Sequence, residues 1–535
     1  MRLRSLKVER ATSCGGLLDG LSVSFARDEE NTNQALTPLC LLGPNGSGKS
    51  QFLQLIAEIF QSAWHVHAPM EERDLANADA LFELEYEIAA EGDKKSSLVK
   101  LSRTAITRPL ANIEMAIHIG SEWEPIPPET KRFGHLLPAL VVGYTSGDNE
   151  TLSLPFLISR SGYARDVGVA ALKEDTKKSV ADNRLLLIDY GTHLEVLVAN
   201  LLLGNPAVRA AMLKHAALDR LASCRCIVQL NHSVAPNAPR NKTKRKGIQL
   251  TDELEMHLDA LRRSATCWEY DNKSETYIFD FFVDEATRKA FVYFFGSAMQ
   301  LYRALHKLAL LNDLAIPKKT RERLKRETRN RRFASRLPEP QDEDKVFRFE
   351  QVRLHRTSEE VGAEPVDYVS LSDGEHQQAE IFGVFSMITT ANSLFVLDEP
   401  ESHFNPQWRV QFVKRLLDLP AADRGSQEVL MTSHAPFVPS DMSREQVLIF
   451  KKINDKVSVG RPDIETFGAS FDRILEHCFD VHPPISQMAR DEIDNLMRSG
   501  NIDQIQAAMN HLGSSVEKAF LADKLRELTK SGGAS

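Results

Sequence analysis

Four short stretches hold the residues able to do chemistry. Residues 43–50 read GPNGSGKS. Gly43, Gly46 and Gly48 let backbone amides near Pro44, Asn45 and Ser47 close around phosphate oxygens. Lys49 then reaches the outer phosphates, and the Ser50 hydroxyl can ligate Mg²⁺. Residues 394–400 read LFVLDEP, an apolar run ending in two carboxylates. Asp398 suits Mg²⁺, which takes oxygen ligands and keeps part of its water. Glu399 suits a general base that polarises the attacking water. Residues 428–436, EVLMTSHAP, place His434 at the end of another apolar run. There an imidazole can bond a γ-phosphate or hold that water. Residues 371–375, LSDGE, open a helical pattern with Ser372, Gly374 and Glu375. A helix start of this kind presents N–H groups to an anion. Together the chemistry is that of ATP with Mg²⁺, bound and hydrolysed by water.

Those residues need strands and helices to hold them. Residues 36–42 are apolar enough for a buried strand ahead of the glycine loop. After it, Phe52, Leu53, Ile56, Ile59 and Phe60 recur at helical spacing. Residues 2–9, 21–26, 81–88 and 98–106 read as strands, three of them alternating polar and apolar, with a polar loop at 28–34. The first ~140 residues therefore read as antiparallel strands attached to a phosphate-loop core. The apolar run at 136–144 ends in TSGDNETLSLPF, which suits either a nucleotide sensor or a plain turn.

The character changes from about residue 160. Residues 186–203 and 205–222 read as helices, 236–246 as a basic loop, and 267–270 with 275–283 as a hairpin. One long helix is expected to carry Phe291, Phe294, Ala298, Leu301, Leu305 and Leu308. Residues 318–336 hold ten Lys/Arg against two Glu. That run is either a solvated face or a contact to a nucleic-acid backbone. Strand patterns resume at 346–354, and amphipathic helices fill 486–530, packing on the head or docking a partner.

Length and composition set the frame. A chain of 535 residues argues for two or more domains. It is 42% hydrophobic and 26% charged, ordinary for a soluble globular protein, and its net charge of −8 neither suggests nor excludes a nucleic-acid partner. Cys14, Cys40, Cys224, Cys226, Cys267 and Cys478 show no paired spacing, which argues for reduced thiols and against structural zinc. No signal-peptide pattern or membrane-length apolar run is present, so a cytoplasmic location is expected and no membrane partner.

The motifs in this order resemble the ABC-type ATPase head. GPNGSGKS stands as Walker A, LSDGE as the signature, LFVLDEP as Walker B and His434 as the switch histidine. The resemblance covers residues 1–150 and 346–455. It implies an α/β P-loop fold, a mixed sheet with an antiparallel β subdomain, a mainly helical insertion and a small helical C-terminal extension. The corresponding domains are 1–158, 159–345, 346–455 and 456–535. It also implies a homodimer, possibly a higher oligomer, in which Ser372, Gly374 and Glu375 of one head cap ATP held by the other.

The roughly 320 residues between Walker A and signature resemble the RecF/SMC branch, without the length for a long coiled-coil arm. The EPESHFNP stretch, with Glu401, His403 and Pro406, resembles the AAA ATPases of bacterial defence and of overcoming-lysogenization-defect proteins. Residues 144–156 and 466–475 are similar to ATPases linked to restriction, Septu-type and retron systems. This resemblance implies a sensor or regulator of anti-phage defence that controls a separate nuclease subunit, of HNH type for example, since no nuclease pattern is seen in this chain. A RecF-like DNA clamp and a non-hydrolysing ATP-locked scaffold stay open as alternatives. Where the family carries a Q-loop glutamine, this chain offers only Asn149 or Glu150.

Overall fold

A computed structural model describes the chain apart from residues 26–37, 74–78, 90–95, 106–112, 147–149, 173–179, 190–191, 214–217, 232–246, 330–339, 358–363, 420–426 and 533–535. Its centre is a seven-stranded sheet. The order is Lys456–Gly460, Val447–Ile453, Leu39–Leu42, Glu428–Thr432, Leu394–Asp398, Val141–Thr145 and Leu185–Ile188. All neighbours run parallel except the first pair, which is antiparallel. Parallel strands are covered on both faces and read as continuous apolar runs, which is why 39–42, 394–398 and 428–432 show no polar alternation.

The two faces bury alternate residues of each strand. Leu39, Leu41, Leu394, Val396 and Leu430 belong to one core, shared with the helix Lys49–His67 and an antiparallel sheet. That sheet has six strands in the order Ser22–Ser24, Arg2–Arg10, Leu81–Ala89, Ser96–Arg103, Glu114–Ile119 and Glu122–Ile126. Sandwiched between sheets, the helix Lys49–His67 is buried almost all round. Phe52 meets Phe450 edge-on at 5.2 Å and Phe60 meets Tyr86 at 5.5 Å. Each such side chain contributes about 1.5–3 kcal/mol on burial. The helix that starts at the phosphate loop is therefore anchored along its length.

Cys40, Leu42, Phe395, Leu397, Val429 and Met431 face the other core. It is filled from the middle of the chain by helices including His193–Leu203 and Ala298–Ala309, and by the signature helix Asp373–Met387. A five-stranded sheet closes this side, in the order Cys267–Asp271, Thr276–Phe282, Leu218–Gln229, Phe347–Arg356 and Val366–Asp367. The expected hairpin is its first pair. The helices Gln487–Ser499, Ile502–Met509 and Val516–Gly532 form the C-terminal extension.

Three sequence readings are corrected. Residues 186–203 are not one helix: Leu185–Ile188 is the edge strand of the nucleotide sheet, and the helix begins at His193. Residues 205–222 likewise split into the helix Pro206–Leu213 and the strand Leu218–Gln229. A short apolar run looks the same whether a sheet or a helix bundle buries it. The long helix at 291–308 is two helices, Glu285–Phe295 and Ala298–Ala309. Gly296 at φ 73° breaks it, and Ser297 caps the second helix by accepting from the Gln300 amide. The expected boundary at residue 158 falls inside the helix Glu150–Leu172. Among the described residues no helix is long and apolar enough to cross a membrane.

The strand Val141–Thr145 carries that helix against the sheet through one close approach. A Cβ on Gly143 would stand 2.6 Å from the buried Phe156 ring. Gly143→Ala should lower stability by about 1–3 kcal/mol, seen as an earlier urea midpoint at unchanged slope. An unchanged midpoint would mean that the ring moves aside freely.

Candidate functional site

The phosphate loop leaves the buried strand Leu39–Leu42 and enters its helix at Lys49. All three of its glycines sit at positive φ, and Gly43 and Gly46 show the two reasons. Gly43 sits at φ 142°, and a Cβ there would lie 2.3 Å from the Phe450 carbonyl oxygen. Gly46 sits at φ 75° with open space beside it, so its side chain is excluded by backbone conformation alone. Pro44, Asn45 and Gly46 form the exposed rim, while Ser47, Gly48 and Lys49 are buried beneath it. The Ser47 hydroxyl is buried without a partner. Lys49 folds back, donating to the carbonyls of Gly43 at 2.8 Å and Pro44 at 3.1 Å. Burial lowers its ammonium to about 8, against the pull of Asp398 and Glu399. A desolvated cation beneath an exposed glycine loop at a helix start fits a polyphosphate.

Asp398 gathers the site. Its Oδ2 accepts from Ser50 Oγ at 2.9 Å, and its Oδ1 accepts from Thr432 Oγ1 at 2.6 Å. Burial raises this carboxyl above its ordinary range, and the two hydroxyls oppose the shift. Neighbouring ligands around octahedral Mg²⁺, with bonds of about 2.1 Å, stand as far apart as these Ser50 and Asp398 oxygens. Among the described residues no three His, Cys, Asp or Glu side chains form a cation cage. The pair therefore fits an ion whose remaining ligands are water and phosphate.

Glu399 follows at φ 48°, a strained conformation for a residue with a side chain. Its amide donates to Thr432 Oγ1 at 2.9 Å, which helps hold it there. The carboxylate lies 3.0 Å from His434 Nε2. That hydrogen bond holds it below the usual carboxylate range, although partial burial pushes the other way. Glu399 is thus ionised and oriented, as a base that accepts a proton from water must be.

Behind this pair, Ser433 Oγ donates to Glu401 Oε1 and accepts from the Ala435 amide. Glu401 is buried, and its Oε2 has no partner. Desolvation raises its carboxyl to about 7. The bond fixes the turn that aims His434.

The signature residues stand apart. Ser372 and Glu375 form a reciprocal capping box at the start of Asp373–Met387, with the Ser372 amide donating to Glu375 Oε2 at 2.8 Å. Glu375 is thus engaged in shaping the turn. Among the described residues, the hydrogen bonds of Ser372 and Glu375 stay within this first turn. Ser372 is exposed and Gly374 buried.

The fold therefore brings Ser50 to Asp398 and Glu399 to His434 while Lys49 lies within their field; it leaves Ser372 exposed at the start of another helix, with Gly374 buried against the His403 carbonyl. Thr432 was missed as a site residue; a hydroxyl at the end of the strand before the histidine is its only signal in sequence. Asn149 lies outside the described residues. Glu150 begins the helix Glu150–Leu172.

Strand order and site together define an α/β P-loop fold, with the phosphate loop and the carboxylate pair at neighbouring strand ends. The family described as "AAA domain, putative AbiEii toxin, Type IV TA system" matches residues 243–441. That is a little over a third of the chain, including the signature, Walker B and switch histidine but not the phosphate loop. "Protein ea59" of Escherichia phage lambda is 30% identical over 87 residues, and the match spans 16% of this chain and 16% of that protein. The SMC head domain from Thermotoga maritima is a structural neighbour at TM-score 0.33 and 12% identity, covering 87% of this chain and 100% of that one.

Glu401 gives a pH signature. Its folded value near 7 lies above the ordinary 4.5, so its contribution to stability is full below about 4.5 and lost as pH rises through about 7. Glu401→Gln keeps an acceptor for Ser433 but cannot ionise. Relative to wild type, the variant should gain up to roughly 3 kcal/mol between pH 5 and pH 8. Thermal melts over that range check it. Parallel curves would show that Glu401 does not titrate there.

Proposed function

We propose that this protein binds ATP with Mg²⁺ and hydrolyses it. The observation that carries the reading is the meeting of Ser50 with Asp398 beside the Glu399–His434 pair. Lys49 and the loop amides bind the phosphates. Ser50 and Asp398 would hold Mg²⁺, which would neutralise charge that develops in transfer. Glu399 takes the proton from the attacking water, and His434 orients Glu399. Catalysis is positioning and electrostatics.

The exposed signature turn supports a second copy as partner. Ser372 and Gly374 of one head would then face the phosphates held by the other, so that ATP joins a homodimer. In the cell we place the protein in the cytoplasm as a sensor or regulator in an anti-phage defence complex, acting on a separate nuclease. The toxin–antitoxin wording of the matched family and the phage origin of one relative support that setting. The basic helix Lys318–Arg329, with Arg323 and Arg326 exposed, supports nucleic acid as a further partner.

Glu399→Gln should keep ATP affinity while turnover falls by about 10²–10⁴-fold. ATP-dependent dimer should accumulate in this variant on size-exclusion chromatography. Turnover close to wild type would remove Glu399 as the base, and loss of binding would make its role structural. Separately, reversing charge at Arg323 and Arg326 should weaken nucleic-acid binding and lessen its salt dependence by about two counterions. An unchanged salt slope would take this helix out of the interface.

A further inference from the structure

The turn after Glu399 meets the signature helix at Ser402 and His403, and the His403 contact is the closer. The His403 backbone amide donates to Gln377 Oε1 at 3.0 Å. Gln377 Nε2 donates in turn to Ser402 Oγ at 3.4 Å. The His403 carbonyl lies against Gly374, where an added Cβ would stand 2.9 Å from its oxygen. Gly374 is therefore bare on the side where the turn presses. On the opposite side, His403 Nε2 lies 3.0 Å from the Ser146 carbonyl oxygen. A carbonyl only accepts, so Nε2 carries the hydrogen. Ser146 follows directly on the sheet strand Val141–Thr145.

The surroundings leave this junction little freedom. Gln377 is 4% exposed and shares a hydrogen bond with the buried Tyr144 hydroxyl on that same strand. Arg409 donates to the Ser402 carbonyl at 2.5 Å and pins the turn from the following helix, Pro406–Asp418. One turn thus carries Glu399 at its start, meets the signature glycine at its middle, and rests on the strand end beside the nucleotide sheet.

We propose that His403 and Gln377 are positioning residues that tie the signature turn at Ser372–Gly374 to the turn that carries Glu399. Its functional consequence rests on the ATP-hydrolysing dimer proposed above. Movement of the Glu399 turn displaces His403, and the signature of the same head follows, because Gln377 and Gly374 are held to it. The state of one head's own site then sets how its signature meets the nucleotide of the other. Neither residue touches the reacting atoms.

The test uses full-length protein with His403→Ala, His403→Asn and Gln377→Leu; the last keeps volume and removes all three hydrogen bonds of the Gln377 side chain. Amide hydrogen exchange of nucleotide-free protein is read in peptides covering 372–376 and 49–67. In Gln377→Leu, exchange in the signature peptide should rise by about fivefold or more while the 49–67 peptide keeps its rate; His403→Ala keeps the backbone amide and carbonyl that meet Gln377 and Gly374, loses only the bond to Ser146, and should raise exchange by less. With Mg²⁺ and ATP, turnover should fall by about ten- to a hundredfold with ATP affinity within about twofold of wild type. His403→Asn retains a donor toward Ser146 and should recover much of that turnover. Unchanged exchange at 372–376 overturns the tie, as does affinity falling in step with turnover. If wild-type protein does not hydrolyse ATP, the proposed function fails while the exchange data still decide the tie. If Gln377→Leu does not fold, Gln377→Met, which also lacks the amide donor and acceptor, decides it by the same exchange readout.

Discussion

One buried carboxylate organises this molecule. Asp398 joins the phosphate-loop helix through Ser50, 348 residues away, and the neighbouring strand through Thr432. Burying a carboxylate is costly unless hydrogen bonds and cations compensate. Here two hydroxyls and the field of Lys49 do so. Asp398 and those partners stand on three different segments, so the site exists only when Leu39–Leu42, Glu428–Thr432 and Leu394–Asp398 lie side by side in that order. Chemistry and sheet topology are one constraint.

The same constraint explains why so much of the chain serves to pack one sheet. A parallel sheet exposes apolar residues on both faces and must be covered twice. The antiparallel sheet and the helix Lys49–His67 cover one face, and helices from the middle of the chain cover the other. The middle region also gives the nucleotide sheet its edge strand, Leu185–Ile188. It is thus part of the head's own core. Its helices pack on a face that holds Leu397, one residue from Asp398.

Around Asp398 the turns are held in unfavourable forms by many contacts. Glu399 keeps φ 48° because Thr432, Glu401, Ser402 and His403 are each bonded to a different neighbour. Strain of this kind persists only where the surroundings over-determine it, and it fixes the Glu399 carboxylate and His434 3.0 Å apart. Thr432 serves twice, donating to Asp398 and accepting from Glu399, so one hydroxyl sets the relation between the metal-side and water-side carboxylates.

Sequence alone determined the chemistry that local spacing encodes. Gly43, Gly46, Lys49 and Ser50 act within one loop, so their spacing is their geometry. The capping box of Ser372 and Glu375 is local in the same way. The apolar runs before Gly43, Asp398 and His434 are legible as strands because each is short and ends in polar residues. Only tertiary structure decided which runs were strands or helices when both would be buried, as at 185–188, because burial removes the periodicity that separates them. It alone decided the roles of Thr432, Glu401 and Gln377, whose partners lie 26–34 positions away on other elements. Hydrogen bonds across such separations depend on which strands become neighbours, and pairing of that kind is settled by the whole core.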